Sequence, residues 1–164
     1  MSVPVKTLAL SMALGLLFGS MPAVGAMDAL EKKKAWHKCL LEIYRSQQKF
    51  PEMLAEYGTL CKLSPNDAQL LFQYGATLYR QGRTNEAITQ YRKAAALNPQ
   101  NPDYQGAVGD ALAAIKDYQG AIAAYRKAGP RYAPRLQSIM QYVQNVQQIE
   151  QYNKEVKRRQ MEDE

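Results

Sequence analysis

The chain has 164 residues, 46% of them hydrophobic, which is the size of one ordinary domain with its own core. Its net charge is +6, but the Lys and Arg residues are spread along the sequence. Because nucleic-acid-binding proteins gather their positive charge in a patch or stripe, we expect no nucleic acid partner, only a mild preference for acidic ones.

Residues 1–26 have the pattern of a secretory signal peptide. Lys6 precedes an apolar run from Leu8 to Phe18, and the small residues Val24-Gly25-Ala26 follow. This order favours cleavage after Ala26. The alternative is an uncleaved membrane anchor, since residues 7–27 carry no charge and just reach the width of a bilayer. Either way we expect export to the periplasm or a comparable lumen, with membrane contact only through such an anchor or through a partner.

Residues 33–66 form a first pair of predicted helices. The second helix fits the unit that follows, since Tyr57 and Pro65 precede Tyr91 and Pro99 by the same interval. The first helix has two possible registers. A strict pitch places inward His37, Leu40, Leu41 and Tyr44; a shift by one residue places there Trp36, Cys39, Leu40 and Ile43. We favour the shifted register because all four residues are apolar, although it requires an extra residue in the turn at residues 47–51.

Residues 67–100 form the most regular pair. One helix face carries Leu71, Tyr74, Gly75 and Leu78, which lie 3, 4 and 7 residues apart. After Gly82, a second helix presents Ala87, Tyr91 and Ala94, and Pro99 closes the unit. A helical hairpin of this kind cannot bury its apolar face alone, so it needs neighbouring units.

Residues 101–133 form the third pair, and residues 134–160 one long helix. Asn101-Pro102 and Asp117 predict the starts of the two paired helices, and Gly129 predicts the end of the second. The long helix has an apolar stripe suited to capping the last unit, followed by a tail at residues 161–164. We therefore expect seven helices.

This arrangement resembles the tetratricopeptide repeat (TPR), a helix–turn–helix of about 34 residues. The residues that carry the resemblance in the central unit are Leu71, Tyr74, Gly75, Leu78, Ala87, Tyr91, Ala94 and Pro99. The resemblance implies an all-α fold, a right-handed α-solenoid of three TPR helix pairs with a long C-terminal capping helix. It also implies that the chain binds another protein.

In TPR proteins the first helix of each pair lines a concave groove. The matching positions here include His37, Tyr44, Arg45, Phe72, Tyr79, Arg80 and Asp110. Tyr and Arg are frequent in binding hot spots, but Tyr44 and Tyr79 could equally cover the edge of the core. The groove-lining positions of the third unit are acidic or small, which suggests that a ligand segment is apolar or basic there. Some TPR domains bind a C-terminal carboxylate through Lys and Asn; this chain has at those positions His37, Leu41, Phe72 and Ala76, which argues against that mode.

Catalytic and metal-binding motifs are missing from the sequence. His37 is the single histidine, and there is no Gly-rich phosphate loop and no Cys-x-x-Cys pair. We therefore expect a non-enzyme with no cofactor and no metal.

The two cysteines, Cys39 and Cys61, lie on the two helices of the first pair. In an exported protein such a pair is more often bridged than free, and a bridge would stabilise the fold by about 3 kcal/mol. The alternative is two small buried apolar residues.

These observations predict an exported adaptor or assembly factor that binds a peptide or helix of a partner protein in the groove. The alternative is a structural subunit of a membrane or envelope complex, which would use the C-terminal helix and the convex face.

Signal-peptide cleavage and the bridge can be tested together. We expect the exported chain to begin at Met27 and to gain the mass of two hydrogens on reduction. Intact mass spectrometry with and without reductant measures both. A mass that includes residues 1–26 would show an anchor, and a mass unchanged by reductant would show two thiols.

Overall fold

The computed structural model describes residues 28–162, so the predicted signal peptide and residues 163–164 lie outside the described residues. Residues 28–162 form seven α-helices and one 3-10 turn, with no strand, which confirms the predicted all-α fold. The helices are α1 Ala29–Ser46, α2 Phe50–Leu63, α3 Ala68–Arg80, α4 Thr84–Leu97, α5 Pro102–Ala114, α6 Tyr118–Ala128 and α7 Ala133–Glu162; the 3-10 turn is Pro130–Tyr132. None of these helices combines the length and apolarity needed to cross a bilayer.

Local sequence signals set the helix boundaries. The side chain of Asn101 accepts a hydrogen bond from the Asp103 amide at 3.0 Å, and that of Asp117 from the Gly120 amide at 2.9 Å. Both predicted N-caps are thereby confirmed. Gly129, with φ of 82°, ends α6. The long helix α7 begins one residue before the predicted range and includes Met161 and Glu162 of the predicted tail.

The three intra-pair turns share one backbone conformation. Each joins its helices through three residues, and the middle residue has a positive φ: 54° at Gln48, 73° at Gly82 and 65° at Lys116. These three positions are equally spaced along the sequence, one in each helix pair. A residue other than glycine costs about 1–2 kcal/mol in this left-handed region, so the repeat imposes the turn even where the local residue opposes it.

The shifted register predicted for the first pair is therefore wrong, because its turn contains no extra residue. Leu41 and Tyr44 are buried with 4% and 9% of their surface exposed, whereas Trp36 and Ile43 are only partly buried beside them. Placing four apolar residues inward favours the shifted register. The strict register instead places His37 at the edge of the inward face, and Glu56 on α2 supplies its partner. The residues of this core are Leu40, Leu41, Tyr44, Met53, Tyr57, Leu60 and Leu70.

The structure divides into two compact units, one ending at Gln90 and one beginning at Tyr91. In the first unit α1 packs on α2, and α2 packs on α3. In the second unit α5 packs on α6, and α6 packs on α7. Helix α7 has no buried residue; it covers α6 with half-buried side chains, which are Leu136, Ile139, Val143 and Val146.

The left-handed turn predicts opposite outcomes for two Gly→Ala substitutions. Gly82→Ala should destabilise the protein by about 1 kcal/mol, because a Cβ there meets no atom within 4 Å and only the backbone strain remains. Gly58→Ala, within α2, should stabilise it by about 0.5–1 kcal/mol, because its Cβ would meet only the Tyr74 hydroxyl at 4.0 Å. Urea denaturation of both variants measures the two signs; equal signs would contradict this account of the turn.

Candidate functional site

The predicted groove residues fall in both units, with Asp110 in the second and the others in the first. Within residues 28–162 no group of three His, Cys, Asp or Glu residues is placed to hold a metal ion. A binding site in this chain therefore depends on which of the predicted groove residues are accessible to another molecule.

His37 joins the two helices of the first pair. Its Nδ1 lies 2.5 Å from Oε2 of Glu56 on α2, and the two side chains are only 18% and 16% exposed. A pair this enclosed connects α1 to α2. His37 is therefore engaged within the hairpin and not aimed at a ligand.

Tyr44 and Arg45 also serve the first hairpin. Tyr44 belongs to the core, which corrects the prediction of an accessible groove tyrosine: in the strict register its ring points inward. Arg45 donates from Nη2 to the Tyr57 hydroxyl at 3.1 Å and pairs through Nη1 with Glu42 at 2.8 Å. The Tyr57 hydrogen bond is the main reason that the pKa of Arg45 is raised, so its charge is permanent.

The predicted groove residues that are accessible lie on helix α3. Tyr79 is 38% exposed, Arg80 is exposed, and Phe72 and Ala76 are half-buried. Spacings of 3, 4 and 7 residues place these four on one side of the helix, which we call the α3 face. Leu71, Gly75 and Leu78, each one residue before a member of the α3 face, are buried. Within the described part of the chain Arg80 has no carboxylate partner.

In the second unit the chain itself contacts the predicted groove residue of α5, Asp110, and also Asp103 earlier on the same helix. Asp110 accepts a hydrogen bond from the Tyr125 hydroxyl at 2.7 Å and pairs with Arg135. Asp103 accepts from the Tyr132 hydroxyl at 3.0 Å and pairs with Arg131 at 2.7 Å. We call Asp103, Gly106 and Asp110 the α5 wall.

Sequence reasoning missed the residues that occupy the α5 wall. Arg131, Tyr132 and Arg135 follow the last paired helix and belong to no helix face that the pattern defines. The available signal was Gly106, which stands at the repeat position that Phe72 holds in the central unit. A glycine at a wall position indicates that something packs directly on the backbone there.

The two cysteines are both half-buried thiols in this structure, and Cys61 packs against the core of the first unit. A Cys39–Cys61 bridge therefore stays a prediction.

Family comparisons agree with this architecture. A tetratricopeptide repeat model matches residues 75–134, and a second TPR repeat model matches residues 42–82. No curated protein matches the sequence.

Several solved TPR structures share the fold. A MamA structure has a TM-score of 0.63 at 20% identity over 69% of this chain and 65% of its own. The first TPR of Spaghetti (RPAP3), bound to the HSP90 peptide SRMEEVD, has a TM-score of 0.60 at 19% identity over 68% of this chain and 94% of its own. PcrH, in complex with the chaperone binding region of PopD, has a TM-score of 0.62 at 17% identity over 71% of this chain and 96% of its own.

At these identities the likeness shows the fold alone. The chain also spans slightly less than two thirds of the two MamA structures, 65% and 66%. The α-solenoid class that the TPR resemblance implies is confirmed. The two matched ranges run together from residue 42 to residue 134, and over that range the sequence fits tetratricopeptide repeat models.

Proposed function

We propose that this protein is an exported adaptor or assembly factor that binds a peptide or helix of a partner protein through the α3 face. One observation carries the proposal: in a TPR unit, α3 presents an exposed tyrosine and an exposed arginine beside a half-buried phenylalanine. The RPAP3 and PcrH structures each hold a segment of another protein, which supports a binding role for this fold.

The chemistry of the α3 face suits a mixed apolar and acidic segment. The Tyr79 ring offers a large rigid surface at low entropic cost, and its hydroxyl adds a polar contact. Arg80 offers a planar set of donors to a carboxylate or to backbone carbonyls. Phe72 and Ala76 stand where carboxylate-binding TPR domains have Lys and Asn, so we expect recognition of an internal segment and not of a chain end.

Export rests on residues 1–26, whose basic, apolar and small parts follow the signal-peptide order. The proposed site of action is the periplasm or a comparable lumen. TPR units are generally interaction modules without catalytic groups, and we propose no enzymatic activity for this one.

A second candidate function follows from α7. Ile149, Tyr152 and Met161 are 60%, 70% and 73% exposed on the part of this helix that extends past its half-buried stripe. Exposed aromatic and aliphatic side chains on a projecting helix can be covered by a neighbouring subunit. This favours the alternative of a structural subunit in a membrane or envelope complex.

Two sets of substitutions distinguish the candidates. Phe72→Ala and Tyr79→Ala should each weaken partner capture by roughly tenfold or more, the effect of losing a hot-spot side chain. The measurement is quantitative pull-down from native envelope extract with the chain 27–164. Tyr152→Ala removes an exposed tyrosine from α7 instead; it should leave capture unchanged if the α3 face binds the partner, and weaken capture if α7 does.

The pattern of loss decides between the two surfaces. If capture survives both α3 substitutions but disappears on truncation after Ile149, the α3 proposal is wrong and the α7 candidate is supported. Circular dichroism of each variant checks that the fold is retained.

A further inference from the structure

The α5 wall is built to hold arginine and tyrosine side chains. Its two carboxylates accept from two hydroxyls and two guanidinium groups: Tyr132 and Arg131 at Asp103, Tyr125 and Arg135 at Asp110. Opposite charges at hydrogen-bonding distance make these bonds stronger than neutral ones. The α5 wall therefore favours arginine and tyrosine side chains, the two types that the chain itself places there.

Two glycines let the aromatic rings lie against the α5 backbone. A Cβ on Gly106 would overlap the ring of Tyr132, and a Cβ on Gly109 would overlap that of Tyr125. The two rings stack with centroids 6.0 Å apart and planes 13° from parallel. Arg135 lies 5.4 Å from the centre of the Tyr132 ring, so the same guanidinium contacts both a ring face and a carboxylate.

Three of these four contacting side chains come from one short segment, residues 130–135. It follows Gly129, whose φ of 82° and ψ of −163° turn the chain sharply at the end of α6. Burial, reinforced by the bond to Asp103, raises the pKa of the Tyr132 phenol, and the charge of Asp110 raises the pKa of Arg135. Both groups are protonated at neutral pH even at their ordinary pKa values, and an upward shift keeps them able to donate.

We propose that the α5 wall is a binding site for an arginine- and tyrosine-bearing segment of a partner protein, and that residues 130–135 occupy it as an internal competitor. The site lies on a different helix from the α3 face, so it stands or falls independently of the proposed function. It reinterprets Asp110, for which the sequence suggested an apolar or basic ligand segment: here the chain itself supplies a basic one.

The competition follows from the tether. A segment joined to the wall by a short linker acts at an effective concentration of about millimolar, so a free segment of similar affinity displaces it poorly. Yet Arg131 and Arg135 are 67% and 56% exposed, and exposed ion pairs contribute little individually. A partner with more contacts can therefore take their place. A pocket of about 410 Å³ beside Arg135, lined also by Tyr125, Pro134, Ser138 and Ile139, gives room next to the wall.

The test uses the chain's own segment as the probe. In the chain 27–164, the triple variant Arg131→Ala, Tyr132→Ala and Arg135→Ala removes the side chains of residues 130–135 from the wall and leaves Tyr125 in place; we call it the emptied variant. A labelled synthetic peptide of residues 129–136 is then titrated by fluorescence anisotropy up to millimolar concentration. We expect binding to the emptied variant at least roughly tenfold tighter than to the wild type, because the tethered competitor is gone.

Matched variants make the result specific. Arg126→Ala, Lys127→Ala and Tyr152→Ala together remove the same charge and one tyrosine from exposed positions of the same unit, and should leave peptide binding at the wild-type level. Adding Asp103→Asn and Asp110→Asn to the emptied variant should abolish binding. A scrambled peptide should not bind. Equal binding to emptied and wild-type chains, or no binding at millimolar peptide, would overturn the proposal.

A second measurement covers the case in which the emptied variant does not fold. Asp103→Asn with Asp110→Asn, in the otherwise intact chain, should release residues 130–135 and speed trypsin cleavage after Arg131 and Arg135. Glu150→Gln, an exposed carboxylate on α7, is the control. Unchanged cleavage at both sites in a folded double variant would show that the carboxylates do not hold the segment.

Discussion

The structure depends on close approach between helices at positions where one of them has almost no side chain. Ala87, Ala94 and Ala121 have no exposed surface, and Gly109 accommodates the ring of Tyr125 where a Cβ would collide with it. That approach brings the Tyr125 hydroxyl to Asp110, and Asp110 in turn holds Arg135. The spacing of the core and the chemistry of the α5 surface are thus two results of the same small residues.

Local signals explain why the helices, caps and period could be predicted from the sequence. Apolar spacing, Asn101-Pro102 and Asp117 act within a few residues of the structure that they determine. The register of α1 depends on a long-range pair. His37 is acceptable at the edge of the core because Glu56, 19 residues away on another helix, faces it, and no pattern within α1 reveals that partner.

The candidate surfaces divide in the same way. The α3 face was predictable because its residues are the ones that a simple helical period leaves outside the core. The occupied α5 wall was not, because its contacts join Asp103 to a tyrosine 29 residues later, beyond the last paired helix. Only the turn at Gly129 and the 3-10 segment after it bring that ring onto Gly106.

The exposed end of helix α7 affects how fast its backbone amides exchange with solvent. From Gln147 to Lys154 its side chains are exposed, and three ion pairs of Arg158 and Arg159 with Glu155 and Glu162 support the helix locally. Such pairs stabilise an isolated helix by only about 0.2–0.5 kcal/mol each, and a short helix without tertiary contacts is marginal in water. Backbone amides near the end of α7 should therefore exchange with solvent far faster than those of α5 or α6. A subunit that covers Ile149 and Tyr152 would slow this exchange and complete the folding of the helix as it binds.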